Sequence, residues 1–359
     1  MRLLPPRSGP GVPTVAFTLT AALATLATAC GSGGSHPTGA GSAGAARPAA
    51  ATTTTTVAPP SSLSATEESW RLPAAVSRPV VLPDGSGFVI LGGLATGDVS
   101  TSRVVRVDPA AGTGQQAGSL AVAVHDSAGA VIGGRDYVFG GGSYSTVSTV
   151  QSWSAGAASA ASEVAHLPSP RSDLTAITVG GTAYVVGGFD GTRMDAQVLA
   201  TSDGTTFRPM ATLQIPVRYA AVGYAAGSLW VFGGVTSTSE SGALETSAIQ
   251  RVDLATGKAA VVGHLPEAMG HATAVTLAGQ VFVLGGRSGS VPSAAILHLD
   301  PAIASVTPAG TLPQALSDAG SVVVGDRAYL VGGEVSGPTH PLDTVVVLRA
   351  ASGAAPTAG

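Results

Sequence analysis

The chain has 359 residues, of which 45% are hydrophobic and only 11% charged, and its formal net charge is −4. A mildly acidic chain without basic clusters is poorly suited to binding nucleic acid, so we predict no nucleic-acid partner. Low charge combined with many β-branched residues excludes disorder along the whole length. The 49 glycines and 24 prolines favour many short strands joined by tight turns.

Residues 1–30 have the pattern of an export signal. Arg2 and Arg7 precede an uncharged apolar run from Val15 to Ala29, which is shorter than the roughly 20 residues of a spanning helix. Small residues then lead to Cys30, the only cysteine, which excludes an intramolecular disulfide and a multi-cysteine zinc site. The segment resembles a bacterial lipoprotein signal, in which the cysteine is acylated. The alternative is an ordinary secretory signal in which Cys30 is incidental.

The resemblance to a lipoprotein signal implies an extracytoplasmic protein, anchored by lipid at Cys30 to the outer face of the cytoplasmic membrane. Residues 31–66 are rich in Ala, Gly, Thr and Pro, and we expect them to form a disordered tether. The threonine run Thr52–Thr56 is either a site for O-linked sugar or part of a bare linker. Residues 351–359 are expected to form a flexible tail.

A short apolar segment that ends in two glycines recurs six times. The spacings between the first glycines of successive pairs are 48, 47, 46, 52 and 47 residues, and such a period indicates a repeat architecture. Each repeat contains four short strand-like segments joined by turn residues, which is the pattern of one antiparallel propeller blade. The pairs are Gly92-Gly93, Gly140-Gly141, Gly187-Gly188, Gly233-Gly234, Gly285-Gly286 and Gly332-Gly333.

The repeat resembles the kelch repeat. The resemblance rests on the glycine pair, on a tyrosine shortly before it in several copies and on an arginine near the first strand, namely Tyr137, Tyr184, Tyr329, Arg171 and Arg218. It implies an all-β, six-bladed kelch-type β-propeller over residues 67–350. We expect the glycines to permit positive φ and a close approach of backbones.

The sixth repeat contains three strands and then ends in an Ala/Gly-rich tail. The segment Glu67–Pro73 has the Leu-Pro ending of a fourth strand. We therefore predict that the N-terminal strand closes the last blade and covers its open edge.

Polar residues recur 14 to 16 positions before each glycine pair. In a propeller these residues would surround one mouth of the central channel, where they could bind an anionic or polyhydroxyl ligand. The alternative is that they cap loops and pair with one another. The variable loops that follow the glycine pairs are the other candidate binding surface. The candidate ligand-binding residues are Arg78, His125, Asp126, Arg171, Arg218, His271 and Asp318.

Motifs with a specific chemistry are absent from the sequence. The glycine pairs lack the lysine of a phosphate-binding loop, no HExxH motif occurs, and we predict no cofactor and no metal. The segment Thr201–Phe207 resembles the Asp-box of sialidase-like propellers, in which Asp203 would stabilise a hairpin turn. Kelch propellers include a copper oxidase that needs a cysteine in the domain, which this chain lacks, and a sialic-acid epimerase that it resembles only in fold.

The sequence favours a non-catalytic binding or scaffold protein of the cell envelope, monomeric, which recognises a protein or glycan partner through one propeller face. The alternative is a carbohydrate-active enzyme, an epimerase or hydrolase, that uses the charged ring at the channel mouth. The enzyme would need at least two titratable groups close together in a pocket.

Overall fold

The computed structural model describes residues 59–154, 160–239, 244–335 and 340–351. The predicted signal segment, Cys30, most of the predicted tether and the tail from residue 352 lie outside the described residues. Within them the regular structure is entirely β, and no helix has the length and hydrophobicity that a membrane crossing requires.

The strands form six antiparallel sheets of four strands, so the predicted six-bladed β-propeller is confirmed. In the first five sheets the strands follow one another in chain order, with the first strand of each blade at the channel. Blade 1 comprises Val80–Asp84, Gly87–Leu91, Arg103–Asp108 and Thr113–Ser119; blade 2 Ala128–Ile132, Arg135–Phe139, Thr149–Trp153 and Ser162–His166; blade 3 Thr175–Val179, Thr182–Val186, Gln197–Thr201 and Arg208–Thr212.

The remaining blades repeat this arrangement. Two further hairpins of two-residue strands lie in the loops of blades 1 and 5, Leu94–Ala95 with Val99–Ser100 and Arg287–Ser288 with Val291–Pro292. Blade 4 comprises Ala221–Ala225, Ser228–Phe232, Ala248–Asp253 and Ala259–His264; blade 5 Thr273–Leu277, Gln280–Leu284, Ala295–Asp300 and Ser305–Thr311; blade 6 Gly320–Val324, Arg327–Val331, Val345–Ala350 and Leu63–Glu67.

The ring closes through the N-terminal strand of the described chain, as predicted, because Leu63–Glu67 pairs with Val345–Ala350. The position of this strand differs from the expected Glu67–Pro73. Leu72 does occupy the place of the blade-ending leucines, since its N–H donates to Asp343 O at 2.9 Å as Leu167 N–H does to Ser148 O. However, four residues that are not strand separate it from Glu67. The ordered domain therefore includes residues 63–66, which we assigned to the tether.

Each blade packs against both neighbours through alternate side chains of its second strand. In Ser228–Phe232 all five residues are buried. Leu229 and Val231 pack with blade 3, whereas Trp230 and Phe232 pack with blade 5, because side chains along a strand alternate between its two faces. A strand buried on both faces must be continuously apolar, which explains the uninterrupted apolar run before each glycine pair.

The glycine pairs tie each blade to the next. The first glycines have φ between 58° and 65° and the second between 94° and 110°, which confirms the predicted positive φ. The second glycine N–H donates to a carbonyl of the loop that enters the next blade, at 2.8 to 3.0 Å. A Cβ on the first glycine would lie 2.0 to 2.6 Å from that carbonyl oxygen. The close approach is thus to the neighbouring blade's loop rather than between strands at the axis.

The two faces of the propeller carry different connections. We call the face with the loops between second and third strands, and the connections between blades, the loop face. The opposite face carries the other turns and both ends of the described domain, since Leu63 pairs with Ala350 and Ala351 N–H donates to Ser62 O at 3.0 Å. We call it the termini face. The loop face therefore carries neither end of the described domain.

Candidate functional site

Six equivalent residues form a closed ring of backbone hydrogen bonds at the loop-face end of the channel. Each lies 14 positions before the first glycine of its pair, and each has φ between 50° and 59°. The N–H of each residue donates to the carbonyl of the ring residue in the preceding blade, at 2.8 to 3.3 Å, and the sixth carbonyl accepts from the first N–H. We call this set the channel ring, and its members are Arg78, Asp126, Asp173, Tyr219, His271 and Asp318.

Hydrogen bonds between and within the blades stabilise the left-handed backbone of the channel ring. Non-glycine residues adopt this conformation at a cost of roughly 1–2 kcal/mol each, so it persists only where surrounding contacts stabilise it. Here the contacts are the ring of hydrogen bonds and a bridge between the preceding residue and the residue after a glycine pair, such as His125 with Gly142. The backbone thus fixes the origins of six side chains around the axis.

The channel is a cavity of about 800 Å³ lined by the first strands of all six blades, and the channel ring lies at its loop-face end. Tyr219 reaches from blade 4 to blade 2, where its Oη donates to Asp126 Oδ2 at 3.3 Å. The Tyr219 ring stacks on His271 at 3.9 Å between centroids, and the Arg78 guanidinium lies 5.8 Å from its centroid. These side chains therefore extend across the channel at the level of the ring.

Arg78 is the cationic centre of the ring. Its guanidinium lies 3.1 Å from Asp126 Oδ2, 3.1 Å from Glu334 Oε1 and 3.5 Å from Asp318 Oδ1, and all three carboxylates are buried. Burial disfavours the charge on Arg78, but the carboxylates outweigh it and raise the pKa of Arg78 well above its ordinary value. Burial, followed by the charge of Asp318, raises the pKa of Glu334. The ring is thus an ion-pair network with more carboxylates than its arginine neutralises.

His271 uses both of its nitrogens within the protein. Nδ1 lies 2.7 Å from Asp318 Oδ1, and Nε2 lies 2.8 Å from Arg287 Nη2. Because an arginine can only donate, Nε2 accepts and Nδ1–H donates to Asp318, which assigns a neutral tautomer. Burial opposes ionisation of Asp318, but His271, Arg78 and Ser317 stabilise its carboxylate and lower its pKa. In this arrangement His271 has no lone pair available for a substrate.

Asp173 is the ring residue whose carboxyl pKa lies near neutrality. Burial, and then the nearby charge of Asp126, raise the pKa of Asp173 to about 7, against an ordinary value of 3.8. Arg218 opposes the shift, with Nη1 at 3.1 Å from Asp173 Oδ2. Folding therefore increases the proton affinity of this carboxyl.

We expect Asp173→Asn to reduce the pH dependence of the free energy of unfolding between about pH 4 and 7. Because the folded pKa of Asp173 exceeds the unfolded one, the wild-type protein loses stability as pH rises through this window. Asn cannot ionise, so the variant should lose less. Urea titrations at several pH values measure the difference, with the exposed Asp326→Asn as the control that should follow the wild type. Equal pH profiles for Asp173→Asn and wild type would contradict the assignment.

The structure brings four of the seven predicted ligand-binding residues into the channel ring, namely Arg78, Asp126, His271 and Asp318. His125 lies outside the channel lining, with Nδ1 2.8 Å from Ser100 Oγ and Nε2 3.7 Å from Asp126 Oδ2.

The two other predicted arginines are placed behind the ring, which corrects their expected position at the channel mouth. Arg218 pairs with Asp173 and lies over the Phe189 ring at 5.2 Å. Arg171 is 1% exposed, forms an ion pair with Asp195 and donates to the carbonyls of Gly187 and Gln197. Asp173 and Tyr219 take the two ring positions instead. A constant spacing of 14 residues identifies both, whereas the wider range of 14 to 16 residues admits Arg171 and Arg218 in their place.

The structure also places the Asp-box-like segment. Asp203 Oδ1 accepts from the N–H groups of Thr205 and Thr206 at 2.8 and 2.7 Å, so the Asp-box-like segment is a hairpin turn, as predicted. Among the residues that the structure describes, no group of three or more His, Cys, Asp or Glu side chains is arranged to hold a metal ion.

The loops around the channel ring present apolar side chains to solvent. Six large hydrophobic residues of the described chain are exposed, and four of them lie on loops that follow glycine pairs in blades 1, 2, 4 and 5. We call these four the loop tips: Val99, 58% exposed, Tyr144, fully exposed, Leu244, 68%, and Val291, 67%. The other two, Val164 and Ile303, lie on a fourth strand and on a turn of the termini face.

The fold and the channel ring define a six-bladed β-propeller with a polar, internally bonded channel mouth. No protein-family model matches the chain, and no curated protein matches it. Among the 751 chains of solved structures that match is the structure of YjhT, with a TM-score of 0.65 and 15% sequence identity over 76% of this chain and 95% of that chain. At this identity the similarity shows the fold alone, and the propeller fold fits a binding or scaffold role without specifying it.

Proposed function

We propose that this protein is a non-catalytic binding or scaffold protein that recognises its partner through the loop face of a kelch-type propeller. The observation that carries the proposal is the position of the loop tips, which place four of the six exposed large hydrophobic residues of the described chain around one channel mouth. Exposed apolar side chains that share one face of a domain can contribute to an interaction surface. The proposal includes the lipid anchor at Cys30 and a location outside the cytoplasmic membrane, with the partner in the cell envelope.

The channel ring supports a binding role better than catalysis. Its ionisable side chains pair with one another and with Arg218, Glu334 and Arg287, which lie outside the ring, and both His271 nitrogens are engaged. A general base needs a lone pair within hydrogen-bonding reach of the substrate.

A carbohydrate-active enzyme remains the second candidate. The observation in its favour is that His271 contacts both Asp318 and Tyr219 at the end of a cavity of about 800 Å³. Such an enzyme would have to release His271 Nε2 from Arg287 before this nitrogen could act as a base. Turnover of a sugar that stops in His271→Gln would favour this candidate over a binding protein.

We expect the fourfold variant Val99→Ser, Tyr144→Ser, Leu244→Ser and Val291→Ser to bind envelope components at least about tenfold more weakly than the wild type, because truncated apolar anchors lose buried contact area. The full-length protein is screened against envelope proteins and glycans, and affinities are measured for each hit. All four side chains are exposed, so the melting temperature should not fall.

The matched control is the double variant Val164→Ser and Ile303→Ser, which removes exposed apolar side chains elsewhere and should keep wild-type affinity. Equal affinity of the fourfold variant and the wild type for every component bound would overturn the proposal.

A further inference from the structure

The loops that follow the glycine pairs carry few exposed charges. In the described parts of these loops the solvent-exposed charged side chains are Asp98, Arg193 and Asp343. Arg193 is paired with Asp190 at 3.1 Å, and Asp343 lies 3.7 Å from Arg71. Arg71 and Glu267 lie on connections between blades. The remaining exposed Asp, Glu, Lys and Arg residues lie on outer strands and on the termini face: Arg106, Asp108, Arg135, Glu163, Asp203, Arg208, Arg251, Lys258, Asp326, Arg327 and Arg349.

This distribution argues against a membrane surface as the partner of the loop face. Peripheral membrane binding combines apolar insertion with lysines and arginines that attract anionic lipids. The described part of the loop face carries two exposed arginines, and each is paired with a carboxylate, Arg193 with Asp190 and Arg71 with Glu67. The chain also enters the domain on the termini face, so a membrane anchor at the N-terminus does not require the loop face to contact the membrane.

The geometry of the loop tips also argues against a glycan. Sugar hydroxyls are recognised by several polar groups that converge in a concave site. The loop tips are instead protruding apolar side chains, and the polar groups of the channel ring beneath them are bonded to one another.

We infer that the partner of the loop face is a protein whose contacting surface is apolar and weakly charged. Cores of protein interfaces are depleted in Lys, Glu and Asp and enriched in tyrosine, and recognition loops rich in Tyr, Ser and Gly serve this purpose in antibodies. Three of the four loop tips lie in segments of this composition, in which Asp98 is the one charged residue: Gly97–Val99, Tyr144-Ser145 and Gly289–Val291. The inference rests on the proposed function, which leaves a protein or a glycan open as the partner, and it selects the protein.

Tyr144 is the expected anchor of the complex, since an exposed tyrosine can bury a large area with little loss of conformational entropy. A photo-crosslinking residue is placed at position 144 or, as control, at position 303 of the full-length chain in its own cells. The protein that crosslinks through position 144 but not through position 303 is identified and purified. Its affinity for the wild-type chain is then compared with that for Tyr144→Ser and Ile303→Ser.

We expect Tyr144→Ser to weaken this affinity at least about tenfold and Ile303→Ser less than about twofold. Because the interface carries little charge, raising the salt concentration from about 50 to 500 mM should change the affinity by less than about threefold. The inference is overturned if no protein joins selectively through position 144, if Tyr144→Ser binds the purified protein as the wild type does, or if salt weakens binding steeply. If the wild type binds a glycan and the fourfold variant does not, this inference is overturned, whereas the proposed function is supported.

Discussion

Replacing Gly140 by alanine should lower the free energy of unfolding by about 3–5 kcal/mol, whereas Gly180→Ala should lower it by only about 1 kcal/mol. The two glycines have nearly the same backbone conformation, with φ of 58° and 57°. They differ in what an added Cβ meets. At Gly140 it lies 2.2 Å from Arg171 O, and at Gly180 no atom lies within 4 Å.

Both variants share the cost of backbone strain. The difference between their losses in the free energy of unfolding therefore measures the effect of the contact between blades. Arg171 O is also the acceptor of the Gly141 N–H at 2.8 Å, so relief of the clash stretches the bond that joins blade 2 to blade 3. Urea unfolding of both variants provides the measurement. Equal destabilisation would show that positive φ alone explains the glycine pair and that the approach of the blades is unimportant.

The fold could be predicted because the same two structural requirements recur in every blade. A second strand buried on both faces must be apolar, and the turn after it must admit positive φ at two residues, so the Gly-Gly pattern recurs wherever a blade meets the next. The predicted closure by an N-terminal strand follows from the missing fourth strand of the sixth repeat. Its position was wrong because Leu72-Pro73 indicates only where the strand's connection ends, while four irregular residues separate it from Glu67.

The channel ring was harder to predict because its backbone, rather than its chemistry, defines it. The six positions share φ and a hydrogen-bonding pattern, but their side chains include an arginine, a tyrosine, a histidine and three aspartates. In blade 3 two charged residues, Arg171 and Asp173, lie close enough in sequence to fit the pattern, and the side chain of Arg171 is buried among carbonyls of its own blade. Tyr219 has no charge to indicate it, and its reach to Asp126 in blade 2 depends on the curvature of the closed ring.

Replacing Arg78 by methionine should lower the free energy of unfolding by about 3–5 kcal/mol at neutral pH, because removal of one partner leaves buried charges without compensation. Glu334, 2% exposed in its side chain, would lose its ion pair with Nε at 3.1 Å, and Asp126 and Asp318 would lose part of theirs. The matched control is Arg193→Met. Arg193 Nε also lies 3.1 Å from a carboxylate, that of Asp190, but its side chain is 84% exposed, so the loss there should be about 0–1 kcal/mol.

The destabilisation by Arg78→Met should also decrease as pH falls. Arg78 helps to hold the pKa of Asp318 below its ordinary value of 3.8, which contributes stability above that value and loses it as pH falls further. Without Arg78 the carboxylates bind protons at higher pH, and protonation relieves their repulsion, so the variant and the wild type should converge toward pH 4. Urea unfolding from pH 4 to 8 tests this result. If the difference stays constant with pH, the loss comes from packing of the arginine stem, and the ion-pair network does not hold the channel mouth together.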